Sequence, residues 1–265
     1  MTESHIKVQQ QGRIARLVLN RPDKHNAFNA AMIQQITDAL QQLSRQPELN
    51  LLVLQAEGKH FCAGADLAWM QSQAQMSAEE NHTDALALAQ MLNALDRFPA
   101  PVMALVQGAA YGGALGLIAC ADLVLAKDNA RFCLSEVKLG LIPATISPYV
   151  ARAIGHRQLR RYALGAETLD AQRAEQLGLV HQVVSDLDSA AEQWCQRLQQ
   201  NGPMALRACK ELLRHIEQRP LDQALMQDTA HRIARVRVSP EGQEGLTAFF
   251  NKRQPHWQGG QDDTE

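Results

Sequence analysis

The chain reads as an α/β protein that ends in a helical region, and three observations predict this. Short runs of Val, Ile and Leu alternate with helix-period segments from Arg13 to Ser135. From about Ser147 onward the apolar spacing is almost wholly helical. Hydrophobic residues make up 46% of the 265 positions, enough to bury the core of one large domain, with or without a helical appendage.

Arg13 to Asn20 (RIARLVLN) alternates and predicts a strand, broken by Arg21-Pro22-Asp23. Phe28 to Leu43 places Met32, Ile33, Ile36, Ala39, Leu40 and Leu43 at helical spacing. Leu51 to Gln55 is a short apolar run and predicts a buried strand, followed by a Gly-containing loop and a helix from near Asp66. Ala85 to Phe98 has helical period, and Pro99 and Pro101 stop it. Val102 to Val106 predicts a buried strand. Gly108, Gly112, Gly113 and Gly116 punctuate the next stretch, and Leu117 to Cys120 is apolar. Leu123 to Ala126 and Arg131 to Ser135 predict two more strands. In the second half Val180 to Val184 is a lone strand-like piece, while Ser189 to Gln200 and Pro203 to Glu217 predict long amphipathic helices. A boundary near residue 195 separates a core domain, 1–195, from a helical region, 196–265. A terminal helical unit that cannot bury its apolar face alone packs on a partner subunit. The tail from Gly259 is polar and expected to be loose.

The formal net charge of −2 gives no electrostatic reason to expect nucleic acid or an anionic membrane as the main partner. The five cysteines are odd in number and lack C-x-x-C spacing, which argues against a disulfide framework or structural zinc site and fits a reducing compartment. The first twenty residues have no apolar signal-peptide core, and no apolar stretch approaches about 18 residues. A cytoplasmic protein is expected. The nine histidines show no H-x-x-x-H pairing with an acidic third ligand, so no metal is expected.

Three segments carry the chemistry. His60-Phe61-Cys62-Ala63-Gly64-Ala65-Asp66-Leu67 places small residues before a helix N-terminus, where free N–H groups can face a polarised carbonyl; Asp66 also suits a plain N-cap. Gln107-Gly108-Ala109-Ala110-Tyr111-Gly112-Gly113-Ala114 has paired glycines that let the backbone approach a ligand, although such a pair also serves turns and helix packing. Phe132-Cys133-Leu134-Ser135-Glu136-Val137-Lys138 sets a carboxylate at a strand end among apolar residues, where burial raises its pKa toward a range useful for proton transfer.

In this order, together with Asn20-Arg21-Pro22-Asp23-Lys24-His25-Asn26-Ala27-Phe28, these segments resemble the enoyl-CoA hydratase/isomerase (crotonase) superfamily. The resemblance runs from about residue 13 to Phe250. It implies a spiral of ββα turns with a C-terminal helical trimerisation region, assembled as a homo-trimer or a dimer of trimers. It implies a coenzyme A thioester as substrate, with no separate cofactor. The thioester carbonyl oxygen would sit between the N–H groups of Ala65 and Gly113, an oxyanion hole with donors about 2.7–3.1 Å from the developing enolate oxygen. Lys24, Ala27, Ala63, Asp66 and Leu67 would line the adenine and pantetheine path. Phe249 and Lys252 would reach a neighbouring subunit's nucleotide.

The pattern departs from the family at one place. Two-glutamate hydratases carry a glutamate shortly after the paired glycines, where this chain has Gly116; the second corresponds to Glu136, which is present. Hydration needs a proton taken from water and one delivered to Cα, whereas an isomerase that shifts a double bond needs a single base. Leu134-Ser135-Glu136 with Ile146-Ser147-Pro148 resembles bacterial hydratases of branched glutaconyl thioesters, the methylglutaconyl-CoA and carboxygeranoyl-CoA types. An acidic acyl chain would want a cation, and Arg152 and Lys138 are the candidates. The preferred function is therefore an enoyl-CoA hydratase with Glu136 as acid/base, and the alternative a double-bond isomerase using Glu136 alone. Two readings from other classes are a serine peptidase built on Ser135 and His25, for which G-x-S-x-G is absent, and a non-catalytic coenzyme A binding protein, which the retained Glu136 disfavours.

Overall fold

The computed structural model describes residues 4–217 and 219–258. The expectation of a loose tail from Gly259 lies outside them.

The chain opens with an antiparallel pair, β1 (Ile6–Gln11) and β2 (Ile14–Leu19). The first of these was not predicted. It is an edge strand, IKVQQQ, with only Ile6 buried, so it lacks the apolar alternation that marks a strand. Helix α1 (Ala30–Ser44) buries the six apolar residues its period predicts, and the Asn29 side chain accepts from the Met32 N–H to cap it.

From here strand, short strand and helix recur. Strand β3 (Leu51–Ala56) leads to a single bridge between Cys62 and Ala110, then to α2 (Leu67–Gln73) and α3 (Ala78–Asp96). Strand β4 (Val102–Val106) is followed by β5 (Ala109–Tyr111) and α4 (Ala114–Ala119). Strand β6 (Leu123–Lys127) is followed by β7 (Arg131–Cys133), a 3-10 turn Glu136–Leu139, and α5 (Ser147–Ile154). Helix α6 (His156–Gly165), the two-residue strand β8 (Leu169–Asp170), α7 (Ala171–Gln176) and β9 (Gln182–Val184) complete the core. The long strands form a six-stranded sheet ordered β1-β2-β3-β4-β6-β9, parallel from β2 onward; β5, β7 and β8 form a second sheet. This is the ββα spiral that the resemblance implied.

The parallel strands are covered on both faces, which is why they read as unbroken apolar runs. Leu52, Leu54, Val102, Ala104 and Val106 face the main core with α1, α3 and α4. The alternate residues Leu51, Val53, Met103 and Leu105 face a smaller core closed by Ala191 and Cys195 of α8 (Leu187–Gln199). Residue 195 thus lies inside a helix packed on the sheet. The break before the terminal helices α9 (Pro203–Ile216), α10 (Gln223–Arg237) and α11 (Pro240–Phe250) falls after α8. All five cysteines are free thiols, and all but Cys209 are buried.

Helix α3 starts well before the predicted Ala85. Ser77 and Glu80 form a reciprocal capping box, and this S-x-x-E signal outweighs the weak apolar spacing of the first two turns. Glu136 heads a 3-10 turn rather than closing a strand, since β7 stops at Cys133.

Candidate active site

The spiral brings the three sequence segments to one place. Residues 61–62 run beside β5: the Tyr111 N–H donates to Cys62 O at 2.9 Å, and the Gly112 N–H donates to Cys133 O at 2.9 Å, which ties β5 to β7. Glu136 therefore arrives beside the Gly112-Gly113 turn. A Cβ on Gly112 would lie 3.3 Å from Glu136 Oε1 and 3.9 Å from Gly64 Cα. Gly112 has φ +54° and Gly64 has φ +101°, so both the close approach and the backbone conformation call for glycine.

The two predicted donors are unsatisfied. Among the described residues neither the Ala65 nor the Gly113 N–H donates to a protein acceptor. Their directions follow from planar trans peptides, in which C=O and N–H point opposite ways. Gly64 O accepts from the Phe28 N–H at 2.8 Å, so the Ala65 N–H points away from Phe28. Gly112 O accepts from the Leu115 N–H at 3.0 Å, so the Gly113 N–H points away from α4. The Phe28 ring backs the turn, 3.3 Å from where a Gly113 Cβ would be.

Glu136 is half-buried. Its Oε2 is buried and has no hydrogen-bond partner among the described residues. Burial pushes its carboxyl above the ordinary carboxylate range, partly offset by its own backbone N–H. A carboxyl with a raised pKa beside two free N–H groups can move protons next to a polarised carbonyl.

Gly116 lies inside α4 and is buried. A Cβ there would stand 2.5 Å from Ile146 Cγ2 and 3.1 Å from Leu92 Cδ2, so the space beside the position that aligns with the family's first glutamate is filled by hydrocarbon. Gly116→Ala is expected to cost about 1–3 kcal/mol through overpacking. Ile146→Ala removes the colliding carbon, so the double variant should lose less than the sum of the two single losses, measured as midpoints of thermal unfolding.

The other expected positions divide. Lys24 ends an exposed 3-10 turn, Pro22–Lys24; Ala27 is buried, and the half-buried Ala63 donates its N–H to His25 O at 3.0 Å. Leu67 is 78% exposed at the head of α2 and free to meet a ligand. The Asp66 carboxylate is fully engaged: Oδ1 caps α2 through the Ala68 and Trp69 N–H groups, and Oδ2 pairs with Arg21 at 3.0 Å. Phe249 and Lys252 lie exposed at the end of α11, which packs on α9 and α10. Arg152 is bound by Asp96 and Glu217 and lies over the Tyr149 ring, so it is already neutralised. Lys138 is exposed and has no ion-pair partner among the described residues. The His25 ring meets His60 edge-on at 4.9 Å, and among the described residues it shares no hydrogen bond with Ser135, so no nucleophile–base pair forms.

Against known proteins, the family pattern for enoyl-CoA hydratase/isomerase matches residues 9–261. The chain belongs to the enoyl-CoA hydratase/isomerase family. The crystal structure of an enoyl-CoA hydratase from Shewanella pealeana superposes with a TM-score of 0.93 at 50% identity, covering 96% of each chain. Pseudomonas aeruginosa AtuE superposes with a TM-score of 0.93 at 34% identity, over 97% of this chain and 100% of that one. In sequence, the 2,3-dehydroadipyl-CoA hydratase of Escherichia coli is 32% identical over 97% of this chain and 99% of its own. The fold is thus that of the crotonases, two sheets with C-terminal helices. Among the described residues no three His, Cys, Asp or Glu side chains group closely enough to hold a metal ion, and no helix is long and apolar enough to cross a membrane.

Two side chains that hold the site were not singled out from sequence. Asn26 is fully buried in a left-handed conformation, φ 55°, and its amide donates to Glu57 O and His60 O. Arg21 spans Ala27 O and Asp66. The strings N-R-P-D-K-H-N and A-G-A-D were visible, but the contact between them is long-range.

Proposed function

We propose that this enzyme is an enoyl-CoA hydratase acting on a branched, carboxylated 2-enoyl-CoA such as methylglutaconyl-CoA, in the cytoplasm. The observation that carries the proposal is the approach of the half-buried Glu136 carboxyl to the Gly112-Gly113 turn, beside the unsatisfied N–H groups of Ala65 and Gly113. The thioester carbonyl oxygen accepts from both N–H groups, which draws electron density from Cβ. Glu136 takes a proton from water as the water oxygen bonds to Cβ, and the charge passes to the enolate oxygen. The same carboxyl then returns the proton to Cα. Lys24, Ala27, Ala63 and Leu67 line the coenzyme A path.

The similarity to 2,3-dehydroadipyl-CoA hydratase, whose named substrate carries a second carboxyl group, supports an acidic acyl chain. With Arg152 paired to Asp96 and Glu217, the cation left for that carboxylate is Lys138, two residues beyond Glu136. Lys138→Ala is expected to raise KM for methylglutaconyl-CoA about 2-fold to 5-fold, the range for one exposed charge pair, and to leave crotonyl-CoA unchanged. Direct assay of both thioesters, following loss of the conjugated chromophore, tests the substrate class. Fast hydration of methylglutaconyl-CoA supports it, and hydration of crotonyl-CoA alone contradicts it.

The filled space at Gly116 favours one second reading, a double-bond isomerase in which Glu136 alone shuttles a proton between two carbons. Turnover of a 3-enoyl thioester without hydration would select it. A trimer, or a dimer of trimers, is the proposed assembly, with Phe249 and Lys252 reaching the neighbouring subunit's nucleotide. The exposure of Leu221, Phe249, Phe250, Val238 and Leu213 on the terminal helices and their linkers supports it, and light scattering tests it.

A further inference from the structure

The Ala65 N–H is aimed by one short segment, and the structure shows what holds that segment still. Residues 28 and 65 form an isolated parallel bridge. Its two hydrogen bonds, Phe28 N–H to Gly64 O and Asp66 N–H to Phe28 O, are both 2.8 Å and lie on either side of Ala65. A single bridge outside any sheet has no neighbouring ladder to keep it in register. The guanidinium of Arg21 supplies that support: Nη1 donates to Ala27 O at 2.6 Å and Nη2 to Asp66 Oδ2 at 3.0 Å. One rigid fork therefore grips the residue before Phe28 and the residue after Ala65.

The anchor of the fork is itself fixed. The Arg21 N–H donates to Asn26 Oδ1, and the Asn26 N–H donates to Arg21 O, both at 2.8 Å. The Asn26 amide carries the connection on to Glu57 O and His60 O at the start of the oxyanion segment. The ion pair is only 13% and 11% exposed, so solvent screens it weakly. Burial opposes ionisation of Asp66, but the Trp69 N–H, Arg21 and the Ala68 N–H together hold its carboxyl below the ordinary range. Both partners are charged, and the planar fork presents two donors in a fixed geometry, whereas an ammonium is a single point charge on a flexible stem.

We propose that Arg21 is a positioning residue for the oxyanion site: by clamping Ala27 O to the Asp66 carboxylate it fixes the direction of the Ala65 N–H, and it sets the rate without touching substrate. The proposal rests on the enolate chemistry set out above.

Two variants test it. Asp66→Asn keeps an acceptor for the α2 cap, since Asn caps as well as Asp, but loses the ionic contact to Arg21. Arg21→Lys keeps the charge and loses the fork. Both are expected to lower kcat by about 10-fold to 100-fold, as misplacement of a reacting group by a fraction of an ångström does, with KM little changed. The second readout is a non-hydrating aryl-acryloyl-CoA, whose absorbance moves to the red when its carbonyl is polarised. The wild type should show the shift, and both variants should bind the thioester with a smaller one. Arg161→Gln, which breaks the exposed pair with Glu167, should match the wild type in both measurements. Wild-type kcat and a full red shift in both clamp variants, with only a lower melting temperature, would overturn the positioning role and leave the enolate reading intact. No red shift in the wild type would overturn the enolate reading and the clamp's role with it.

Discussion

Glu136→Gln is expected to lower kcat by about 10²–10⁴-fold, the range lost with a general acid/base, while the thioester Kd stays near its wild-type value. The amide has the carboxylate's shape, so the Gly112-Gly113 turn and both free N–H groups keep their places. Single-turnover kinetics separate the two quantities. The same change should stabilise the fold. Burial raises the Glu136 pKa, so the native protein holds this proton more tightly than the unfolded chain does. For a group with a raised native pKa, the stability it contributes is full below the unfolded value and is lost as pH rises through the native one. The amide variant has no such loss. Its melting-temperature advantage should therefore grow as pH rises through the raised Glu136 pKa and vanish in acid. A variant that loses activity and stability together would point to a structural role instead.

Gly113→Val should lower kcat by about 10²–10³-fold, equivalent to roughly 2.7–4 kcal/mol, the loss measured for one oxyanion donor elsewhere. A backbone donor cannot be deleted by changing a side chain, but it can be turned aside. A Cβ at Gly113 meets Phe28 Cε2 at 3.3 Å, and the two further carbons of valine have no room unless the ring or the turn moves. Phe28 also carries the bridge that orients Ala65, so both donors would shift. Thioester binding should weaken much less than kcat falls, because the pantetheine path proposed along Lys24, Ala27, Ala63 and Leu67 does not include Gly113. Loss of affinity with kcat preserved would show that Gly113 borders the ligand without serving the transition state.

Much of this was legible in the sequence because it is local or periodic. The six residues that α1 buries are the six its spacing picks out, and the buried parallel strands appear as apolar runs. Glycine where φ is positive, at Gly64 and Gly112, is a backbone requirement that the sequence states directly. What escaped was either polar or distant. Strand β1 has five exposed residues and no pattern. Arg21 and Asn26 each look like ordinary loop residues until the fold closes contacts over 31 to 45 positions of chain. Arg152 was a reasonable partner for an acyl carboxylate by charge alone; Asp96 and Glu217 had taken it, and no spacing rule links them. Gly116 looks in sequence like a missing carboxylate, whereas its environment is a packed apolar contact in which a Cβ would stand 2.5 Å from Ile146 Cγ2.

A thioester enolate whose Cα proton is moved by Glu136 must exchange that proton with solvent. Solvent exchange tests it most directly: the 3-hydroxyacyl-CoA product is incubated with enzyme in D₂O, and deuterium at Cα is followed by mass spectrometry. Rapid incorporation is expected with the wild type and none above background with Glu136→Gln. Incorporation that persists undiminished in Glu136→Gln, or never occurs in the wild type, would contradict it.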